Sequence, residues 1–248
     1  MDTHLPLRLW FEAMWQVTTQ KYGASALGLQ RVLGLGSYRT AWMLLHKLRR
    51  AMVRPGRDRL QGLVEVDEIY IGGERRRPNQ FENKALVLAA VEEVEQKIGR
   101  IRLLRIPDKS AAVLRDGVSQ LVAPGSRVRT DDSYSYRKLD EIGYEHLPVQ
   151  SDASTPKNIL PLVNRVASLL KRWLLGTHQG SIARTHLDYY LDEFTFRFNR
   201  RTSRSRGLLF YRLVSQAVAL EPRPGKTLVG GRGEIVNHNR LGSLDSSA

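Results

Sequence analysis

Two stretches of β character in this chain carry acids where a strand tolerates them least. Val64-Glu65-Val66-Asp67-Glu68-Ile69-Tyr70-Ile71 alternates apolar and polar residues and holds Asp67 near its middle. Arg127-Val128-Arg129-Thr130-Asp131-Asp132 is a second such run and ends on Asp131. An acid inside a β run is costly unless it has a partner or a cation. A polar helix face follows, with Asn164 and Lys171 seven residues apart. Seven residues is nearly two turns, so Asn164, Ser168 and Lys171 share one face.

The periodicity around these segments sets the organisation. Residues 7–52 read as three helices. Trp10, Phe11, Met14 and Val17 recur at helical spacing, and Gly23 ends the first helix. Ser25 caps a second, with Leu27, Leu29, Val32 and Leu33 inward. After the turn Gly34-Leu35-Gly36, Ser37 caps a third, whose apolar stripe is Tyr38, Ala41, Trp42, Leu45, Leu48 and Met52. Helix, glycine turn, helix is the outline of a helix-turn-helix. Its outer positions are Arg39, Thr40, Met43, His46, Lys47 and Arg50. In a major groove, Arg39 and Thr40 would meet base edges, and Lys47 and Arg50 would meet phosphates. The alternative is a three-helix bundle with a solvated basic face.

Arg54-Pro55-Gly56-Arg57-Asp58-Arg59 is a polar linker, and beyond it the pattern turns to strands. Strands are expected over 63–71, 85–91, 101–106, 127–132 and 144–149, with a charged turn at 74–83 and a hairpin marked by Gly99. Helices are expected over 109–122, 136–142, 160–175, 184–198 and 207–220. Pro161 suits the first turn of the 160–175 helix and Gly176 its end. Residues 151–156 read as a loop, and 221–248 as a loose tail. Three strands in hairpin order, then helix, strand, helix and strand give a mixed five-stranded sheet flanked by helices, the order of a ribonuclease-H-like fold. The expected domains are a helix-turn-helix unit over 1–53, an RNase-H-like unit over 60–220 and the tail.

The charge balance narrows the partners. With 39 Lys and Arg against 25 Asp and Glu, the net charge is +14 and the pI about 10.3. Such a field attracts polyanions, and counterion release drives binding to nucleic acid. The chain has no cysteine, which excludes disulfides and thiolate metal sites. No apolar run approaches the roughly 20 residues that span a bilayer. The first residues, Met1-Asp2-Thr3-His4-Leu5, lack the features of a signal peptide. A cytoplasmic, nucleoid-associated protein without a membrane partner is expected.

Two acids on separate strands in so basic a chain point to Mg²⁺ chemistry on a phosphodiester. A pair of Mg²⁺ ions about 4 Å apart can activate a nucleophile, stabilise the leaving oxygen and neutralise the phosphorus centre. Mg²⁺ takes a few carboxylates plus water and substrate oxygens. Asp67 is the first candidate, against the alternative of a strand acid paired with an arginine. Glu65 shares its face, and Glu68 lies on the other. The second is Asp131 or its neighbour Asp132, one of which can instead cap the turn before Tyr134. Asn164 can give an amide oxygen, and Lys171 can hold a phosphate. Both also read as ordinary solvated helix residues.

At these residues the chain resembles bacterial insertion-sequence transposases of the DDE superfamily, in the branch whose last acid is Glu or Asn followed by Lys. Val64-Glu65-Val66-Asp67-Glu68-Ile69-Tyr70-Ile71-Gly72-Gly73 looks like the family's first catalytic strand, and Arg129-Thr130-Asp131-Asp132-Ser133-Tyr134-Ser135-Tyr136 like its second. Val163-Asn164-Arg165-Val166-Ala167-Ser168-Leu169-Leu170-Lys171-Arg172 looks like the third, with Asn164 where Glu is commoner. Gly176-Thr177-His178 and the run from Tyr190 to Arg201 are also similar. The resemblance covers residues 5 to 220. It implies an RNase-H-like core in which Asp67, Asp131 and Asn164 hold two Mg²⁺ ions, or Mn²⁺ in their place. It also implies recognition of terminal inverted repeats and transfer of a DNA segment into target DNA. Lys171 and Arg172 would position phosphate, and the stretch 197–212, including Arg197, Arg200 and Arg201, would add DNA contacts. Joining two DNA ends calls for a homodimer or larger homo-oligomer. Relatives typically carry a cysteine zinc ribbon ahead of the helix-turn-helix, which the cysteine-free sequence lacks. Glu193 or Asp192 could supply the charge that Asn164 does not, although nothing in the spacing requires it. Two rivals remain: a non-catalytic DNA-binding derivative of such an enzyme, and a nuclease of the same fold.

Overall fold

The N-terminal periodicity resolves into α1 (Leu7–Thr19), α2 (Ala26–Val32) and α3 (Tyr38–Ala51). The computed structural model describes residues 5–54, 56–72, 84–150, 158–178, 182–221 and 228. The expected charged turn at 74–83, the loop at 151–156 and nearly all of the tail lie outside them. Ser25 caps α2 by accepting from the Gly28 N–H at 3.0 Å. Ser37 precedes α3 without a comparable bond.

Ala13, Met14, Val17, Leu29, Ala41, Leu44, Leu45 and Leu48 form one apolar cluster with Leu213 of a C-terminal helix, α7 (Arg206–Val218). The helical cluster therefore draws on both ends of the chain. Only part of the expected α2 stripe goes inward. Leu29 is buried, while Leu27 is 46% and Val32 61% exposed, because seven residues give α2 a single buried line. His46, expected on the outside of α3, is fully buried among Trp42, His186, Tyr189 and Tyr190. The reason is that α3 packs against α1, α2, α6 (Leu187–Phe198) and α7, which leaves little of it free.

The strands are β1 (Leu63–Ile71), β2 (Ala85–Val94), β3 (Lys97–Ile106), β4 (Arg127–Asp131) and β5 (Glu145–Val149), in the order β3-β2-β1-β4-β5. The β1–β2 and β2–β3 pairs are antiparallel, and β1–β4 and β4–β5 are parallel. This five-stranded mixed sheet flanked by helices is the ribonuclease-H-like arrangement. The β2–β3 turn falls on Glu95 and Gln96, both at positive φ, as a tight two-residue hairpin requires. Gly99, expected to mark that turn, instead sits inside β3 beside a register shift. A Cβ there would lie 2.9 Å from Val94 Cγ2.

Strand alternation sends two apolar sets to opposite faces. Ile69, Ile71, Val87, Ala89, Ile101 and Leu103 pack under α5 (Pro161–His178) and α6. Val64, Val66, Leu88, Ala90 and Val128 pack under α4 (Ala111–Leu121) and two 3-10 turns, Tyr134–Tyr136 and Asp140–Ile142. A single short helix was expected over 136–142. Lys138 at φ 75 interrupts it. α5 runs through Gly176 to His178, past its expected end, because Leu174 and Trp173 keep it packed on the core.

Candidate active site

Strand pairing brings the two acidic runs together. Leu63, Val64 and Glu65 of β1 pair in parallel with Arg127, Val128 and Arg129 of β4. Carried two residues further, that register sets Asp67 beside Asp131 on the same face, the one that α5 covers. The electrostatics agree. The Asp67 carboxyl is raised to about 6, chiefly by burial. A hydrogen bond from the Glu68 N–H lowers it, the charges of Glu68 and Asp131 raise it, and Lys109 lowers it.

Each acid keeps one oxygen on the backbone. Asp67 Oδ1 accepts from the Glu68 N–H at 2.8 Å, and Asp131 Oδ1 accepts from the Ser133 N–H at 3.2 Å. The turn-capping role that the sequence left open between Asp131 and Asp132 therefore falls to Asp131. Asp132 instead accepts from Gln150 Nε2 at 2.8 Å, beyond the end of β5.

Glu65 is not part of that pair, although it shares the face. It is fully buried, and its Oε2 accepts from the Leu162 and Val163 N–H groups at 2.8 and 3.0 Å. A carboxylate on the first amides of a helix satisfies donors that have no partner within the helix. Arg129 completes the anchor, 3.3 Å from Glu65 and 2.9 Å from Glu93. Glu65 thus pins the start of α5 two residues from Asp67, and Asn164 follows the anchored amides directly. Asn164 is exposed, and its Nδ2 donates to Asn158 Oδ1 at 2.5 Å. Ser168 donates to the Asn164 carbonyl at 2.9 Å, and Lys171 is exposed two turns along α5.

Among the described residues, no three His, Cys, Asp or Glu side chains gather as a metal site. Asp67 does feel the charge of Asp131. Glu193 does not join them: it is fully buried on α6 between Arg49 at 2.7 Å and Arg197 at 2.9 Å. Asp192 lines a separate cleft near α7.

A cluster on the opposite face of β1 had no signal in the sequence. Glu68 accepts from the Tyr136 hydroxyl and lies 2.6 Å from Lys109 Nζ. Burial lowers Lys109, but the bond to Glu68 together with the charges of Glu68, Tyr70 and Asp67 more than offsets it, and the ammonium is held above its ordinary range. Lys109 is thereby the cation whose charge reaches Asp67, yet its own partner is Glu68. Only the strand register reveals this, since Lys109 lies in a loop far along the chain.

The residues expected to bind DNA divide into two groups. Arg39 and Arg172 are exposed, and Thr40 and Arg50 are half-buried. Lys47 stands 5.6 Å over the Trp10 ring. The arginines at the end of α6 and just beyond it are largely committed within the fold. Arg197 donates to Glu193, to the Gln20 carbonyl at 2.8 Å and to the Val17 carbonyl, which ties α6 to the end of α1. Arg201 donates to the carbonyls of Ile98, Gly99 and Phe198 and stacks 4.3 Å over the Phe198 ring. These two guanidiniums staple loops in place, because helix ends and a hairpin present carbonyls to them. Arg200 donates to the Phe196 carbonyl at 3.1 Å and lines a basic cleft.

A family model described as the ISXO2-like transposase domain matches residues 59–199. The match runs from just before β1 to just after α6 and contains Asp67, Asp131 and Asn164. No curated protein matches the chain.

Proposed function

The chain belongs to the ISXO2-like transposases, and from that premise we propose that it performs Mg²⁺-dependent DNA cleavage and strand transfer at the pair Asp67 and Asp131. The observation that supports this reading is the parallel β1–β4 pairing through Glu65 and Arg129, which carried two residues on would bring Asp67 toward Asp131, together with an Asp67 carboxyl pushed up to about 6 by burial and by its acidic neighbours.

Two carboxylates on one sheet face, with their nearest ammonium paired elsewhere, fit a hard divalent cation. The backbone bonds to one oxygen of each acid orient the other. Asn164 supplies the third donor through its amide oxygen, because its nitrogen is engaged by Asn158. Mg²⁺, or Mn²⁺ in its place, would polarise the scissile phosphate and lower the pKa of the attacking water or 3′-hydroxyl. The side chains do the rest. Asp67 and Asp131 fix the direction of attack, and Lys171 with Arg172 holds the phosphate from the exposed face of α5. The substrates are the element's terminal inverted repeats and target DNA. A homodimer would bring two ends together.

The test is a strand-transfer assay on duplexes carrying the inverted repeats that flank the coding sequence. Joined products in Mg²⁺ are expected. Asp67→Asn and Asp131→Asn should each cut them about a hundredfold or more, with binding in EDTA unchanged. A parent that binds these duplexes but neither cuts nor joins them is instead a non-catalytic derivative, the reading that the uncharged Asn164 favours. Cutting without joining identifies a nuclease.

A further inference from the structure

A cleft of about 420 Å³ opens where the end of α3, the segment leading into β1, the edge strand β3, α6 and α7 meet. Six arginines line it: Arg54, Arg57, Arg100, Arg102, Arg200 and Arg212. The carboxylates in the lining are Asp58 and Asp192.

The compensation within it is partial. Arg54 lies 3.2 Å from Asp58, and Arg100 lies 2.6 Å from Glu92. Arg102 donates to the Asp58 and Ile101 carbonyls at 2.6 and 2.9 Å, which orients the guanidinium without neutralising it. Arg200 Nε is buried with no hydrogen-bond partner among the described residues. The guanidiniums also repel one another. Burial, then the charges of Arg57 and Arg100, push Arg102 down to about 10, and burial followed by Arg212 lowers Arg200.

The cleft is not isolated. A larger groove of about 920 Å³ shares Met52, Phe196 and Arg200 with it and continues past Lys21, Arg201 and Arg206 to Arg172 on α5. Cations held against mutual repulsion attract an anion, and a basic path running from one cavity into the next fits a polymer of phosphates better than a single one.

We propose that this arginine cleft seats backbone phosphates of bound DNA, in a subsite separate from the acid pair. The assignment rests on the transposase reading for the identity of the polyanion. Arg102 lies two strands from β1, since it pairs with Ala90 and Ala90 pairs with Val66. At the β3 edge the cleft would hold DNA that flanks the reacting phosphate.

The test is the binding of the full chain to a labelled 30-bp duplex in EDTA, measured by fluorescence anisotropy across a KCl series. Arg57→Gln with Arg212→Gln should weaken binding about tenfold or more and flatten the slope of log K against log salt by roughly 2. Arg8→Gln with Lys138→Gln removes the same charge from exposed pairs elsewhere and should change affinity less than about twofold. If the double cleft variant fails to fold, Arg212→Glu alone carries the test, because Arg212 is exposed on α7. It should also weaken binding about tenfold.

A cleft variant that matches the control overturns the assignment. So does one that loses pyrophosphate binding by calorimetry while its duplex affinity is unchanged, which would mark a site for a small phosphate. A parent that binds no duplex overturns the proposed function along with the cleft. Parent binding that the cleft variant leaves untouched overturns the cleft alone.

Discussion

Two acids of this molecule show opposite responses to their surroundings. Glu193 is fully buried, and burial alone would raise its carboxyl. Arg49 and Arg197 more than reverse that and hold it below the ordinary carboxylate range. Asp67 is only half-buried, yet its carboxyl is pushed up to about 6. The more deeply buried acid is the more readily ionised. What separates them is company. Glu193 has two guanidiniums in contact, whereas Asp67 feels the charges of Glu68, from the other face of β1, and of Asp131, together with a lysine that is paired with Glu68. A compensated acid is architecture, and an acid left short of positive charge is a place for a cation.

The largest expected effect tests the compensated side. Glu193→Gln leaves Arg49 and Arg197 without their counter-charge in a buried site and should cost about 3–5 kcal/mol in urea unfolding. A loss below about 1 kcal/mol would break the comparison, because Glu193 would then be no better anchored than a surface acid.

The uncompensated side should respond with the opposite sign. Its folded pKa is raised, so Asp67 contributes stability while protonated, below the ordinary value of 3.8, and loses it as pH rises through about 6. Asp67→Asn mimics the protonated form. In EDTA at pH 7.5 it should raise Tm by roughly 2–4 °C, the shift that about 1 kcal/mol makes in a chain of this size. The gain should fade below pH 6. A variant less stable than the parent at pH 7.5 would show that the Asp67 charge is already satisfied.

The smallest effect calibrates both. Arg127 and Glu145 form an exposed pair at 3.2 Å, and Arg127→Ala should change stability by about 0.5 kcal/mol or less. A larger loss would mean that surface charge, rather than burial and company, sets the scale.

Much of the fold was legible in the chain because it rests on local periodicity. Alternation over 63–71 and the apolar run over 85–91 located β1 and β2, and helical spacing located α1, α3 and α6. The strand placement of both acidic runs was legible for the same reason, since 64–71 alternates and Arg127–Asp131 follows a Pro-Gly turn. What escaped depends on partners far apart in sequence. Arg197 resembles a DNA contact until α1 is seen to turn its last carbonyls toward it, and Arg49 meets Glu193 across 144 residues. Which of Asp131 and Asp132 caps the bend depends on the backbone of that bend, and the role of Glu65 turns on where α5 starts. No periodicity encodes either.

The account stands on Asp67 and Asp131 holding one divalent cation between them. Mn²⁺ titration of the full chain at pH 7.5, followed by the loss of the free-ion EPR signal, tests this without DNA or turnover. The account predicts saturable binding that either Asp67→Asn or Asp131→Asn removes and that Asn164→Ala weakens about tenfold. Mn²⁺ bound as tightly by the chain carrying both Asp67→Asn and Asp131→Asn as by the parent would contradict it.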